Sequence, residues 1–440
     1  MKFAVFNAFK PLFLLFTARS VHRCIFQCTF VRFFPIFPSD GLFVVLALLE
    51  IRVVPRESFS FLQLKQYIGF IMGVNAPIRF VGKEKTQFYA VLCQRVDAYF
   101  QQNGLSRHAD TGIVLKTIIL ISAYIVPFVL MVWLQPSFAV CLGLWAIMGF
   151  AMAGIGMSVM HDANHGAYSS NSKVNTLLGY SINLLEGAGF TWKLQHNILH
   201  HTYTNIVHYD DDIEDKAILR MSPHTPVKSI QRFQWFYAII FYSIVTLYWV
   251  TAKDFMQFAR YTRMKVNKNT RRQNAVTLAR ITAIKIGYFL VFFGIPLAAG
   301  LPFSQILGGF LLMHAIGGIV LTVIFQLAHT VEETTHPVPN AEGNIENEWA
   351  IHQMNTTVNF SRYNRFISWY VGGLNFQVEH HLFPKICHTH YPKLADIVER
   401  TAQEFNIPYL EHKSFGHALR SHFVTLQRFG KMPDLDEVLG

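Results

Sequence analysis

Three histidines, His196, His200 and His201, fall within six residues of "WKLQHNILHHTYTN" (192–205). A buried imidazole needs a polar partner, so core histidines normally occur singly. Three together point to a shared partner, and a metal ion is one that imidazoles share readily. Two further groups repeat the theme. "HDANH" places His161 and His165 at i and i+4, and "QVEHH" places Gln377, His380 and His381 at i, i+3 and i+4. Such spacings put side chains on one helical face, as bundles do when they project ligands inward. On an α-helix His196 and His200 share a face, while His201 points about 100° away. "FQLAHT" adds His329.

Eight imidazoles and one amide are too many for one tetrahedral zinc. They suit two metal ions with more ligands each. The five cysteines are scattered and form no CxxC pair, so nitrogen and oxygen must do the holding. Such ligands are compatible with iron, zinc, copper or nickel. His314 is left out, because it lies mid-helix about 22 Å along the axis from His329. His208, His224, His336, His352, His388 and His390 are isolated and read as ordinary structural histidines. Glu379 precedes His380 but lacks the HExxH spacing of a zinc hydrolase. The acidic run "VHYDDDIED" (207–215) either orders its loop or faces solvent.

The elements that must position these residues are membrane elements. Of 440 residues, 52% are hydrophobic and 15% charged, against about 25% charged in a soluble domain. Apolar stretches at 117–134, 138–160, 284–300 and 306–328 are long enough to span. Only "QPS" separates the first two and "LPFSQ" the last two, so they form two tight hairpins. A fifth run, 235–250, is short and rich in Trp and Tyr. The segment after it, "ARYTRMKVNKNTRRQN" (259–274), has six basic residues and no acid, which favours the cytoplasm. Reading 235–250 as in-plane or re-entrant keeps that loop and every histidine group on one face. The expectation is an all-α integral membrane protein with four transmembrane helices, in-plane helices and a cytoplasmic helical cap. Both termini and all long loops would be cytoplasmic.

Residues 1–71 carry eight Lys/Arg against three acids with no clear period, and read as an atypical extension. Translation is expected to start at Met72. Residues 72–116 follow as a cytoplasmic region whose amphipathic helix ends at Asn103-Gly104. The membrane domain takes 117–430, including a helix at 391–405, and 431–440 is a tail.

With "HDANH", "HNILHH" and "QVEHH" in this order, the chain resembles the membrane-bound fatty acid desaturases from about residue 72 to 430. Gln377 stands where many members have the first histidine of the third box. That feature, with "WYVGGLNFQVEHHLFP", is similar to the front-end desaturases, which act between an existing double bond and the carboxyl end. Within that subgroup it looks especially like bacterial linoleoyl-CoA or acyl-CoA desaturases. The resemblance implies a di-iron centre held by His161, His165, His196, His200, His201, His329, His380 and His381. Gln377 would bind through oxygen or a water. It implies an acyl-CoA or acyl-lipid substrate, O2, and a cis double bond as product. No HPGG haem motif of a fused cytochrome b5 domain occurs. Electrons would therefore come from an external ferredoxin or cytochrome b5 with its reductase. The basic cytoplasmic face would suit such an acidic carrier, or the phosphates of acyl-CoA. The implied location is a bacterial inner membrane with the active site on the cytoplasmic face, and no role with nucleic acid.

Two kinds of alternative stay open. A hydroxylase, or a desaturase of sphingolipid or phospholipid chains, would use the same scaffold. A membrane metal transporter would instead need ligands near the bilayer midplane. An intact-mass measurement on natively expressed protein is expected to give a chain starting at Met72. A mass for all 440 residues would contradict that expectation.

Overall fold

The computed structural model describes residues 24–36, 44–55, 78–82, 86–185, 187–214, 218–340 and 342–435. The expected start at Met72 lies outside them. The chain divides into two compact units, Met1–Gly69 with Leu439–Gly440, and Phe70–Val438. The first contains an antiparallel hairpin of β1 (Cys24–Ile36) and β2 (Val44–Pro55), with Cys24 opposite Pro55 and Ile36 opposite Val44. Val, Ile, Phe and Thr dominate β1, as strands prefer. The described residues are mostly helical, as expected of a helical membrane protein, and this hairpin is an addition to that expectation.

In the second unit β3 (Arg79–Phe80) leads to α1 (Phe88–Gln102). Phe88, Leu92, Val96 and Phe100 repeat every four residues and are all buried, so one face of α1 packs. Their partners include Leu394, Ala395 and Val398 on α10, introduced below. Asn103 caps α1, where the sequence placed its end.

Five helices are long and apolar enough to cross a membrane by length and composition. They are α2 (Thr111–Leu134), α3 (Phe138–His165), α5 (Ser229–Arg263), α6 (Arg271–Ala298) and α7 (Phe303–His329). Between α3 and α5 lies α4 (189–203), which carries the second histidine group. Local chemistry explains the ends. Asp110 caps α2 by accepting from the Ile113 amide at 2.9 Å, and left-handed Gln135 stops it. Thr270 and Gln273 form a capping box at the start of α6. Gly300, at φ +96°, ends the turn before α7.

The apolar run 235–250 is the front part of α5, an unbroken helix of 35 residues. It has none of the turn that a re-entrant path needs and brings the helices that qualify by length and composition to five. Its far end stays beside α4, Gln257 donating to Gln195 at 2.7 Å, which is compatible with the in-plane reading. The helix continues past the apolar window because the charges that follow it are satisfied internally. Asp254 lies 2.6 Å from the Lys285 ammonium and accepts from the Thr191 hydroxyl at 2.5 Å. A paired carboxylate does not have to reach water.

Close helix contacts rest on small residues. A Cβ on Gly309 of α7 would lie 1.9 Å from the Trp145 ring of α3. One on Gly318 would lie 2.5 Å from the Tyr242 carbonyl oxygen of α5. The rest of the unit covers the helix ends: β4 (Asn344–Ile345), α8 (Trp349–Thr356), β5 (Asn359–Phe360), α9 (Gln377–Leu382), α10 (Tyr391–Glu404), β6 (Glu411–His412) and α11 (Phe415–Phe429). β3 pairs with β4 and β5 with β6, both parallel and two residues long.

Because the Tyr242 carbonyl is backbone and cannot turn aside, Gly318→Ala is expected to destabilise the helix pair by about 1–3 kcal/mol. Thermal unfolding in detergent should show a midpoint several degrees lower, and an unchanged midpoint would contradict the close contact.

Candidate metal centre

Four elements deliver the histidines. α3 ends in His161 and His165, α4 carries His196, His200 and His201, α7 ends at His329, and α9 carries Gln377, His380 and His381. Two of these elements depart from α geometry at the site. Ile155–Met160 of α3 and Leu194–His200 of α4 are π-helical. In a π turn the bond runs i→i+5, so residue i+5 returns over residue i. That overturns the 100° expectation for His201. Its Nε2 lies 3.3 Å from Nε2 of His196, five residues earlier. All three histidines of α4 therefore face inward.

The ligand atoms fall into two groups, each within 4.8 Å. His161, His165, His196 and His380 form one, and His200, His329 and His381 the other. His201 sits between them, its ring centre 4.6 Å from that of His380 and 4.5 Å from that of His381. His161 Nε2 and His196 Nε2 are 3.0 Å apart, about the spacing of two nitrogens on one metal. Gln377 is buried on the same short helix as His380 and His381.

A second layer orients the rings. His200 Nδ1 lies 3.1 Å from both Asp210 oxygens, His329 Nδ1 3.2 Å from the Thr356 carbonyl, and His380 Nδ1 3.1 Å from the Tyr391 hydroxyl. His381 Nδ1 lies 2.8 Å from Gln353 Oε1. With Nδ1 engaged, Nε2 is aimed inward in each case. Those Nε2 atoms, and that of His165, are buried without a hydrogen-bond partner, as is the Gln377 amide nitrogen. Five orphaned ring nitrogens at about 1–3 kcal/mol each would cost about as much as a whole domain's stability. Shared metal ions remove that cost, and the donor set fits them. Turning the Gln377 amide over would offer oxygen at the same place.

Electrostatics agree. Burial, then repulsion among neighbouring rings, holds His196, His201, His380 and His381 well below the ordinary imidazole range. Neutral imidazole is the metal-binding form. His200 differs: burial opposes its charge, but the Asp210 carboxylate outweighs that and raises its pKa to about 9. His200 therefore carries a proton on both nitrogens when no metal is bound; Asp210 holds the one on Nδ1, and a metal ion would have to displace the one on Nε2.

The acidic run therefore orders its loop: Asp210 is wholly buried and also accepts from the Asn205 amide at 2.9 Å. Gln353, Thr356 and Tyr391 gave no sequence signal, because each lies far along the chain from the ring it holds. Asp162, inside the first box, accepts from His388 Nδ1 at 2.7 Å and from the Cys387 thiol at 3.0 Å. Box one is thereby tied to the segment after box three. Glu379 accepts from Asn359 and Tyr409, both at 2.8 Å, and burial pushes its pKa up to about 7. His314 lies among Thr246, Tyr288 and Phe310, and is in neither ligand group.

Comparison with known proteins gives one family model, fatty acid desaturase, matching residues 132–413. The chain is 38% identical over 355 residues to an sn-1 linoleoyl-lipid 6-desaturase of Synechocystis, covering 79% of this chain and 97% of that one. It is 33% identical to the protein of the same description from Arthrospira platensis, over 79% of this chain and 94% of the relative. An acyl-lipid (8-3)-desaturase of Physcomitrium patens is 32% identical, over 81% and 74%.

Asp210→Asn keeps the side chain's size but removes the charge that fixes the His200 ring. Metal retention against a chelator is expected to fall by about 10–100-fold. Equal retention by variant and parent would show that Asp210 does not orient a ligand.

Proposed function

Because the chain belongs to the fatty acid desaturase family, we propose that it inserts a cis double bond into a lipid-linked acyl chain, on the carboxyl side of an existing one. The linoleoyl group is the favoured substrate. The convergence of two groups of buried, inward-facing imidazoles carries the reading. His161, His165, His196 and His380 would hold one iron, and His200, His329 and His381 the other. His201 and Gln377 would complete the set.

A methylene chain offers no acidic proton and no leaving group, so acid–base or nucleophilic side chains cannot open its C–H bonds. Two irons with O2 and two electrons would supply the oxidising power. This chain's own residues hold the rings aimed, most of them neutral, and keep bulk water out. Trp192 stacks on His196 at 4.6 Å and belongs to the same apolar core as Tyr124, Met148 and Phe292 of the membrane helices. An acyl chain would enter along that core, with its head group left at the cytoplasmic face.

The names of the relatives favour a lipid-linked chain over an acyl-CoA. Electrons would come from a separate ferredoxin or cytochrome b5 with its reductase. A hydroxylase on the same scaffold would leave oxygen in the product lipid. A transporter reading suits the ligands poorly, since they sit at the ends of α3 and α7, away from mid-helix.

The test is a fatty-acid profile with double-bond positions, from a host with its own electron carriers fed linoleate. A new double bond nearer the carboxyl group is expected, and His380→Ala should abolish it. A hydroxylated product, or a product unaffected by His380→Ala, would sink the proposal.

A further inference from the structure

We infer that the hairpin between α5 and α6 is the docking surface for a small acidic one-electron carrier protein, which delivers its electrons beside His200. This rests on the desaturase reading, which supplies the demand for electrons. Per double bond, two carriers are each oxidised by one electron. Those electrons, two protons, O2 and two hydrogens from the acyl chain give two waters.

The surface carries one sign of charge. No Asp or Glu occurs from 255 to 331. Arg263, Lys265, Lys268, Arg271 and Arg272 lie within ten residues and are all exposed. The acids nearest to the hairpin are turned inward. Asp211 lies 2.5 Å and Glu214 3.2 Å from the Arg260 guanidinium, and Asp254 is paired with Lys285. A field of this kind steers an acidic partner and selects against a basic one.

Positive-inside topology accounts for a basic loop but not for what lies beneath it. α5 connects the hairpin to the histidines through side chains. Gln257 Nε2 donates to Gln195 Oε1 at 2.7 Å and to Asp211 at 3.1 Å. Gln195 Nε2 donates to Asp212 Oδ1 at 2.7 Å, and the other Asp212 oxygen is 3.4 Å from His200 Nδ1. Tyr261 donates to Asp211 from the next turn. Arg263 is only six residues beyond Gln257, about 9 Å along the helix. Charged surface and candidate ligand are thus joined by one helix end and a short hydrogen-bonded chain. Anionic lipid would need the surface cations alone, whereas an electron donor needs the proximity as well.

The experiment uses the full-length, iron-loaded enzyme in neutral-lipid nanodiscs, with an acidic plant-type [2Fe–2S] ferredoxin and its reductase as the probe. Two variants are compared, K268E/R271E/R272E and K268R/R271K/R272K. The readouts are ferredoxin binding by fluorescence anisotropy, and the ratio of ferredoxin-driven to dithionite-driven double-bond formation. Charge reversal is expected to lower both by about tenfold or more and to flatten their salt dependence. The charge-conserving variant should keep both. Parental binding and ratio in the reversed variant would overturn the inference. So would loss of co-sedimentation with phosphatidylglycerol vesicles at an unchanged ratio, which would make the hairpin a lipid contact. Failure of dithionite to yield any new double bond with the parent enzyme would instead overturn the desaturase reading.

Discussion

An imidazole has two nitrogens, and a buried one must find a partner for each. That constraint, multiplied over eight rings in one small volume, governs the protein around it. Protein groups take one nitrogen of His200, His329, His380 and His381: a carboxylate, a backbone carbonyl, a phenol and an amide oxygen. The other nitrogen is left pointing into the cluster, where no second set of protein partners would fit. A site built this way is costly when empty and stabilised when filled, so metal binding and local order are one equilibrium.

The backbone bends to the same demand. Three histidines at i, i+4 and i+5 cannot share a face of an α-helix, and α4 adopts a π turn through Leu194–His200. A second π segment, Ile155–Met160, precedes His161 and His165 on α3. Irregularity of this sort is tolerated where something outside the helix benefits, which is why π turns concentrate at functional sites. Around them the membrane helices are held at short range by glycines facing Trp145 and Tyr242. α3 and α7 therefore bring their C-terminal histidines to one place.

Charge has two tasks in this chain. Inside, paired groups such as Asp254 with Lys285 allow α5 to continue through a region that looks like a helix end from hydropathy alone. Outside, the α5–α6 hairpin keeps its cations exposed while the nearby acids turn toward the site. The same helix thus carries buried pairs along one part and a one-signed surface at its end.

The residues that could bind metal were legible from the chain itself, because histidine grouping and spacing are local features. So were the ends of α1 and α10 and two tight hairpins, which depend on caps and apolar length. Membership of the desaturase family was legible for the same reason, its motifs being short and contiguous. Other features were decided only by tertiary structure. His201 faces inward because of a π turn, and π turns leave no hydropathy signal. Asp210 could not be told from a solvated acid until His200 was seen against it. Gln353, Thr356 and Tyr391 look ordinary until the fold sets them beside rings far away in sequence. The full length of α5 was not legible, because hydropathy registers only its apolar front at 235–250, whereas a partner on another helix makes Asp254 an interior residue. Ligand type and spacing are properties of a segment. Ligand orientation, second-layer pairing and the fate of a charge depend on contacts between segments, and only the folded chain supplies those.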